Sequence, residues 1–270
     1  MTKNKIIMNI KLPGSAVCSK INPPSILRRF TVCLLAGLAF TLPTRAAFHL
    51  WNVSEVYSST DGKVQFIELS TASSSQQFVN GQSISSVNSN GTQTFTFPSN
   101  LPSDTANKSC IIGTSNLSSF PGGVVPDFII PNNFIQPAIS GGSATVTFNG
   151  SGSAITYTNL PIDGDLSLTR SGGIIISAIN SPKNFSSQSN TIVPVKFLTA
   201  ATSNANLVLS FRTATGVNGS AGTNYAVEAQ NQIGSVTWTT ATNVTGNGTT
   251  KSVAIPIMPG TNQFFRLRVP

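Results

Sequence analysis

The chain reads as all-β: two consecutive antiparallel β-sandwich domains behind a cleaved signal peptide. Three observations predict this. Short β-branched and aromatic segments alternate with Gly, Asn, Ser and Pro clusters at intervals of roughly 8–12 residues, the rhythm of a sandwich. Capped apolar runs at three- and four-residue spacing, the mark of helices, are hard to find after Ala47. A basic, then apolar, then small-residue order opens the chain.

That opening comes first. Lys3, Lys5, Lys11, Lys20, Arg28, Arg29 and Arg45 supply seven of the sixteen basic residues, and no acid occurs among the first 46 positions. Arg28-Arg29 leads into FTVCLLAGLAF, an apolar run well short of the ~20 residues that span a bilayer. The signal peptide is therefore expected over 1–46, cut after Ala46, with Ala47 as the alternative. Met8 is a second candidate start. Cys33 lacks the small residue that precedes a lipidated cysteine, so a lipoprotein is not expected.

Removing the leader changes the charge from +8 to +1 over 224 residues. No basic stripe survives to hold phosphates, which argues against nucleic acid as a partner. No apolar run of spanning length follows, so no transmembrane segment is expected in the mature chain. The surface must instead be coated in Ser, Thr, Asn and Gln, side chains that protect sheet edges less than Lys or Glu do. Such a coat suits exported surface proteins and sugar-binding modules alike. The expected location is secreted (extracellular, periplasmic or cell surface), and the partners it points to are protein or polysaccharide at a cell surface.

The first strand group is LWNVSEVY, VQFIEL, QTFTF, SCIIG, DFIIP, ATVTF, AITYT, LSLT and GIIISA. A polar stretch with a proline, SPKNFSSQSNTI at 181–192, then interrupts the pattern. VPVKFL, NLVLSF, NYAVEAQ, VTWTTAT, KSVAIPI and QFFRLRV follow. This predicts a first domain over 47–185, a linker over 186–191 and a second domain over 192–270, its aromatic set around Trp238, Phe264 and Phe265. One continuous sandwich is the alternative.

The chemistry-bearing residues are few. In SEVYSSTDGKVQFIELS, three of the eight acids (Glu55, Asp61 and Glu68) fall close together. Asp61-Gly62 is turn chemistry, with Gly62 supplying the positive φ a hairpin needs. Strict alternation puts Trp51, Val53, Glu55 and Tyr57 on one face, and turns Glu68 away from the face of Ile67 and Leu69. Glu68 is expected to meet hydroxyl or backbone donors, and Glu55, nearer the strand end, to be solvated. A glycosidase acid pair needs a cleft between its carboxylates, which neighbouring strands do not provide.

His49 is the only histidine and sits beside the expected new N-terminus, a poor place for a triad base. Cys110 alone survives cleavage, so one chain has neither a disulfide framework nor a cysteine metal cage, and a buried inert thiol is expected. Asp163-Gly164-Asp165 lacks the longer ladder of a calcium loop and reads as a tight turn. No catalytic residue, cofactor or metal site is expected.

LWNVSEVYSSTDGKVQFIELST resembles the opening hairpin of lamin-tail-like domains, an immunoglobulin-like sandwich of many exported bacterial proteins. Phe66, Ile67, Glu68 and Leu69 match its aromatic or aliphatic pair followed by Glu-Leu. QTFTFPSNLPSDTANKSCIIGTS is similar to its continuation, and the likeness covers about residues 48–190. The resemblance implies that Glu68 is a structural signature residue, not a catalyst. NYAVEAQNQIGSVTWTTATNVTGNGTTKSVAIPIMPGTNQFFRLRV resembles a fibronectin-type-III-like module, on Tyr225 to Glu228, Trp238 and Phe264 to Leu267. Such modules imply spacers or adhesive elements.

The expected function is a non-enzymatic exported structural or adhesion protein. The alternative is a carbohydrate-binding or weakly carbohydrate-active secreted protein, for which Trp51, Trp238 and Tyr157 are the available aromatics.

Overall fold

A computed structural model describes residues 50–149, 153–216 and 222–270. The signal peptide expected over 1–46, Cys33 and His49 lie outside them. Sixteen strands and one 3-10 turn make up the regular structure of the described residues, with no α-helix among them. The first ten are β1 (Asn52–Ser58), β2 (Gln65–Thr71), β3 (Ser83–Asn88), β4 (Gly91–Thr96), β5 (Lys108–Thr114), β6 (Phe128–Ile130), β7 (Ala144–Phe148), β8 (Ala154–Tyr157), β9 (Leu166–Ser171) and β10 (Ile174–Ile179). The last six are β11 (Thr199–Ser203), β12 (Asn206–Arg212), β13 (Asn224–Gln230), β14 (Thr239–Thr245), β15 (Thr250–Pro256) and β16 (Phe264–Arg268).

Four sheets result. The largest runs β10-β9-β1-β2-β5-β6, antiparallel except for the parallel β5–β6 pair. It faces the sheet β4-β3-β7-β8 across the main core. Val53, Val56, Ile67, Leu69, Ile112 and Leu168 come from the larger sheet, and Ile84, Val146, Phe148, Ile155 and Tyr157 from the smaller. Each such aliphatic or aromatic side chain contributes about 1.5–3 kcal/mol on leaving water. That is a sandwich.

The sheets β11-β12-β15 and β14-β13-β16 share no strand with the first pair. They enclose a smaller core of Leu209, Phe211, Tyr225, Val227 and Ile255. Residues before and after this juncture touch through polar contacts: Arg212 meets Asp165 at 2.6 Å, and Asn190 donates to the Thr215 carbonyl at 3.0 Å. Ile192 buries itself among Tyr57, Val64, Phe66, Ile111, Leu117 and Val124, and Val193 donates its N–H to Pro121. The chain thus leaves the first sandwich later than residue 192.

The strand positions differ from expectation at three places. SISSVN forms β3, an inner strand, although serines dominate it; Ile84 faces the core while Ser86 is buried and accepts from the Gln136 amide. VPVKFL is not a strand, and the following TAATS is. Strict alternation also fails in β1. A bulge between Val53 and Glu55 leaves Ser54 as an extra residue. Val53 and Val56 therefore both reach the main core, whereas Glu55 and Tyr57 turn to the opposite face.

Candidate functional site

The bulge brings two carboxylates together. Glu55 pairs in register with Glu68 on the neighbouring strand, both on the sheet face away from the main core. Glu55 is 3% exposed and Glu68 8%, so the solvated Glu55 expected from its place near a strand end is not what the fold makes. Asp127, just before β6, adds a third acid along the same face.

What seals them is the chain leaving β10. Residues 181–185 cross the sheet as an extended strap whose alternate amides point down onto the acids. The Ser181 N–H donates to Glu55 Oε1 at 2.9 Å, the Lys183 N–H to Glu68 Oε2 at 2.9 Å, and the Phe185 N–H to Asp127 Oδ2 at 2.9 Å. Between them, Pro182 has no N–H, and the Asn184 N–H turns the other way, to the Gln188 carbonyl. Hydroxyls complete the set: Ser181 Oγ donates to Glu55 Oε2 at 3.1 Å and Ser109 Oγ to Glu68 Oε1 at 2.8 Å. Asp127 Oδ2 also accepts the Ile111 N–H at 2.7 Å. The Lys108 ammonium lies 5.4 Å over the Phe185 ring and holds the far end of the strap.

Burial dominates the electrostatics. It raises the Glu55 and Asp127 carboxyls above their ordinary values, against the pull of the donors just named. Glu68 is pushed up from 4.5 to about 7, first by burial and then by the charge of Glu55. The nearby Cys110 thiol is 1% exposed and its titration is raised well above the ordinary range by the same desolvation. Glu55 and Glu68 are buried side by side on neighbouring strands, and Asp127 is half-buried. Chemically the arrangement is a row of acceptors that fixes a backbone segment.

The remaining expected residues fall as follows. Ile67 and Leu69 are in the main core, on the face opposite Glu68. Asp61 Oδ1 accepts from Ser59 Oγ at 2.7 Å and from the Lys63 N–H at 3.2 Å, which makes it a turn residue. Gly62 has φ +65°, and a Cβ there would meet Asn133 Oδ1 at 1.9 Å. Asp163 Oδ1 accepts the N–H groups of Asp165 and Leu166, and Asp165 pairs with Arg212. Trp51 is fully buried and donates its indole N–H to the Gln76 carbonyl at 2.9 Å; Tyr157 is buried too.

Trp238 lies outside the second core, which is built on Phe211 and Tyr225 instead, and its ring carries the Arg266 guanidinium at 4.4 Å. Phe265 packs only against the edge of that core.

Two features went unread in the sequence. One is the strap with Asp127. The other is Glu228, buried on β13 and held by Arg266 Nε at 2.7 Å and Arg268 Nε at 2.9 Å. The hydrogen bond from Arg266 is the main reason its carboxyl sits below the ordinary value. The alternation in RLR, opposite a lone strand glutamate, was the signal for it.

Elsewhere a cleft of about 600 Å³ lies at the tip of the β1–β2 hairpin, lined among others by Tyr57, Asp61, Lys63, Asp163 and Lys196. Among the described residues no group of three or more His, Cys, Asp or Glu is placed to hold a metal, and no helix is long and apolar enough to cross a membrane. No protein-family model matches the chain, and a search of curated proteins finds no similar one.

Proposed function

We propose that the chain is a non-enzymatic exported protein with a structural or adhesive role at or beyond the cell surface. In this reading a lamin-tail-like sandwich, about residues 48–190, carries a fibronectin-type-III-like module behind it. The observation that supports the proposal is the sealed carboxylate pair: both side chains are buried, and their oxygens accept from strap amides and serine hydroxyls. Export rests on the leader sequence. Expressing the full chain in a bacterial host and weighing the intact protein recovered outside the cytoplasm tests it; a mass starting at Ala47 or Phe48 is expected. A species retaining residues 1–46 overturns export.

One observation favours the carbohydrate-binding alternative. A cleft of about 540 Å³ at one end of the second sandwich is lined by Asn231, Gln232 and Gln263, whose amides suit sugar hydroxyls, together with Ile255 and Met258. Against it, Trp51 and Tyr157 are buried and offer no stacking platform. Titrating oligosaccharides while following tryptophan fluorescence separates the two; saturable change assigns the second reading.

A further inference from the structure

We propose that β10 is a self-pairing edge through which two copies of the chain join their six-stranded sheets into one. The inference goes beyond the functional reading and holds whether or not the chain is exported.

Among the described residues β10 is the outermost strand of its sheet and pairs only with β9. Its register to β9 is unbroken over all six residues, so no bulge twists the edge away. The hairpin closes through Gly172 and Gly173, both at positive φ, as a two-residue turn requires. The Asn180 N–H donates to the Asp165 carbonyl, which continues the pattern in which even-numbered residues bond to β9. Ile175, Ser177 and Ile179 therefore direct their N–H and C=O groups outward, away from the sheet.

The side chains match that readiness. IIISAI carries no charge and no proline, and Ile174, Ile176 and Ile179 are 64%, 39% and 48% exposed. Of the other sheet edges, β6, β8, β15 and β16 carry a device that discourages pairing, and β4, β11 and β14 lack the run of exposed isoleucines that marks β10. β6 has three residues and ends at Pro131, and β8 has only four. β15 bears Lys251 and Pro256, and β16 bears Arg266 and Arg268. β4, β11 and β14 present mainly Thr, Ser, Asn, Gln and Ala.

The occupant is a second copy because β10 complements itself. An antiparallel pair with its two-fold axis at Ser177 places Ile175 opposite the other copy's Ile179, and Ser177 opposite Ser177. All are outward-bonding residues, so each free N–H meets a free carbonyl. On the other face Ile176 meets Ala178, large against small. No like charges oppose each other across the axis, as the strand has none. The contact is narrow, below the roughly 1,200 Å² of a stable interface, so association is expected to depend on concentration.

Sedimentation velocity of the full chain from about 1 μM to about 1 mM tests this, with amide exchange of Ile175, Ser177 and Ile179 at both ends of the range. A dimer that grows with concentration, together with protection of those three amides, is expected. Ser177→Lys sets like charges at the axis and Ser177→Pro deletes the central N–H. Both sit on an exposed edge that tolerates them, and each should weaken dimerisation by at least about tenfold while leaving the monomer's melt unchanged. Ser177→Cys should crosslink under oxidation. A monomer at every concentration, protection already present in the dilute monomer, or a dimer indifferent to Ser177→Lys each overturns the proposal.

Discussion

Glu68 is an acid whose neighbours want its acceptors and whose surroundings reject its charge. In the unfolded chain it loses its proton near 4.5, and in the fold it keeps it to about 7. Between those values the folded state binds the extra proton, so stability is full below 4.5 and declines as pH rises through 7. Glu55 and Asp127, also raised by burial, push the same way. Chemical denaturation at a series of pH values should show that decline, and Glu68→Gln should flatten it. Glu68→Ala is a different perturbation. It leaves the Lys183 N–H and the Ser109 hydroxyl without their acceptor, and should cost about 1–3 kcal/mol at pH 5 as well as pH 8. A loss confined to alkaline pH would show that only the charge matters. Glu228 behaves oppositely. Its carboxyl is lowered by Arg266 and Arg268, so its contribution is present above the unfolded value of 4.5 and fades as pH falls. Arg268→Ala should accordingly lower the denaturant midpoint at neutral pH and matter less in acid.

At the scale of elements, the strap holds by backbone, not by side chain. Lys183→Ala alters an exposed side chain and should change stability by no more than about 0.5 kcal/mol. Lys183→Pro deletes the N–H that Glu68 accepts and should cost about 1–3 kcal/mol, read as a shift in denaturant midpoint. Equal effects of the two would refute the backbone account. This is also why the strap was not legible in the sequence. Its donors are main-chain groups that any residue supplies, and their acceptors at 55, 68 and 127 are distant along the chain. The Ser54 bulge was hidden likewise, since period-two alternation reads Val53 and Glu55 onto one face. What was legible rested on side-chain chemistry: the Gly62 turn, the Ile67 and Leu69 core face, and polar donors around Glu68. β3 escaped because a serine-rich strand resembles a loop until its neighbours bury it.

For the whole molecule, the second core consists of its own residues, with Phe211 and Tyr225 at its centre and the Ala214 N–H donated to the Tyr225 hydroxyl. A fragment starting at Pro194, past the buried Ile192, should therefore melt cooperatively with a near-ultraviolet circular dichroism signal. A gradual melt would favour one continuous folding unit. The junction itself has a mechanical consequence. Asn180 grips Ile192 twice, its Oδ1 accepting the Ile192 N–H at 2.6 Å and its Nδ2 donating to the Ile192 carbonyl at 2.9 Å. Tension drawn through the C-terminal strands meets the Val193–Pro121 bond and then this clasp, which ties Ile192 to the end of β10 ahead of the strap. Under a pulling force the clasp and then the strap's bonds to Glu55, Glu68 and Asp127 should yield before any sheet strand shears out, releasing up to about 40 Å of chain, and Asn180→Ala should lower the force at which that release begins.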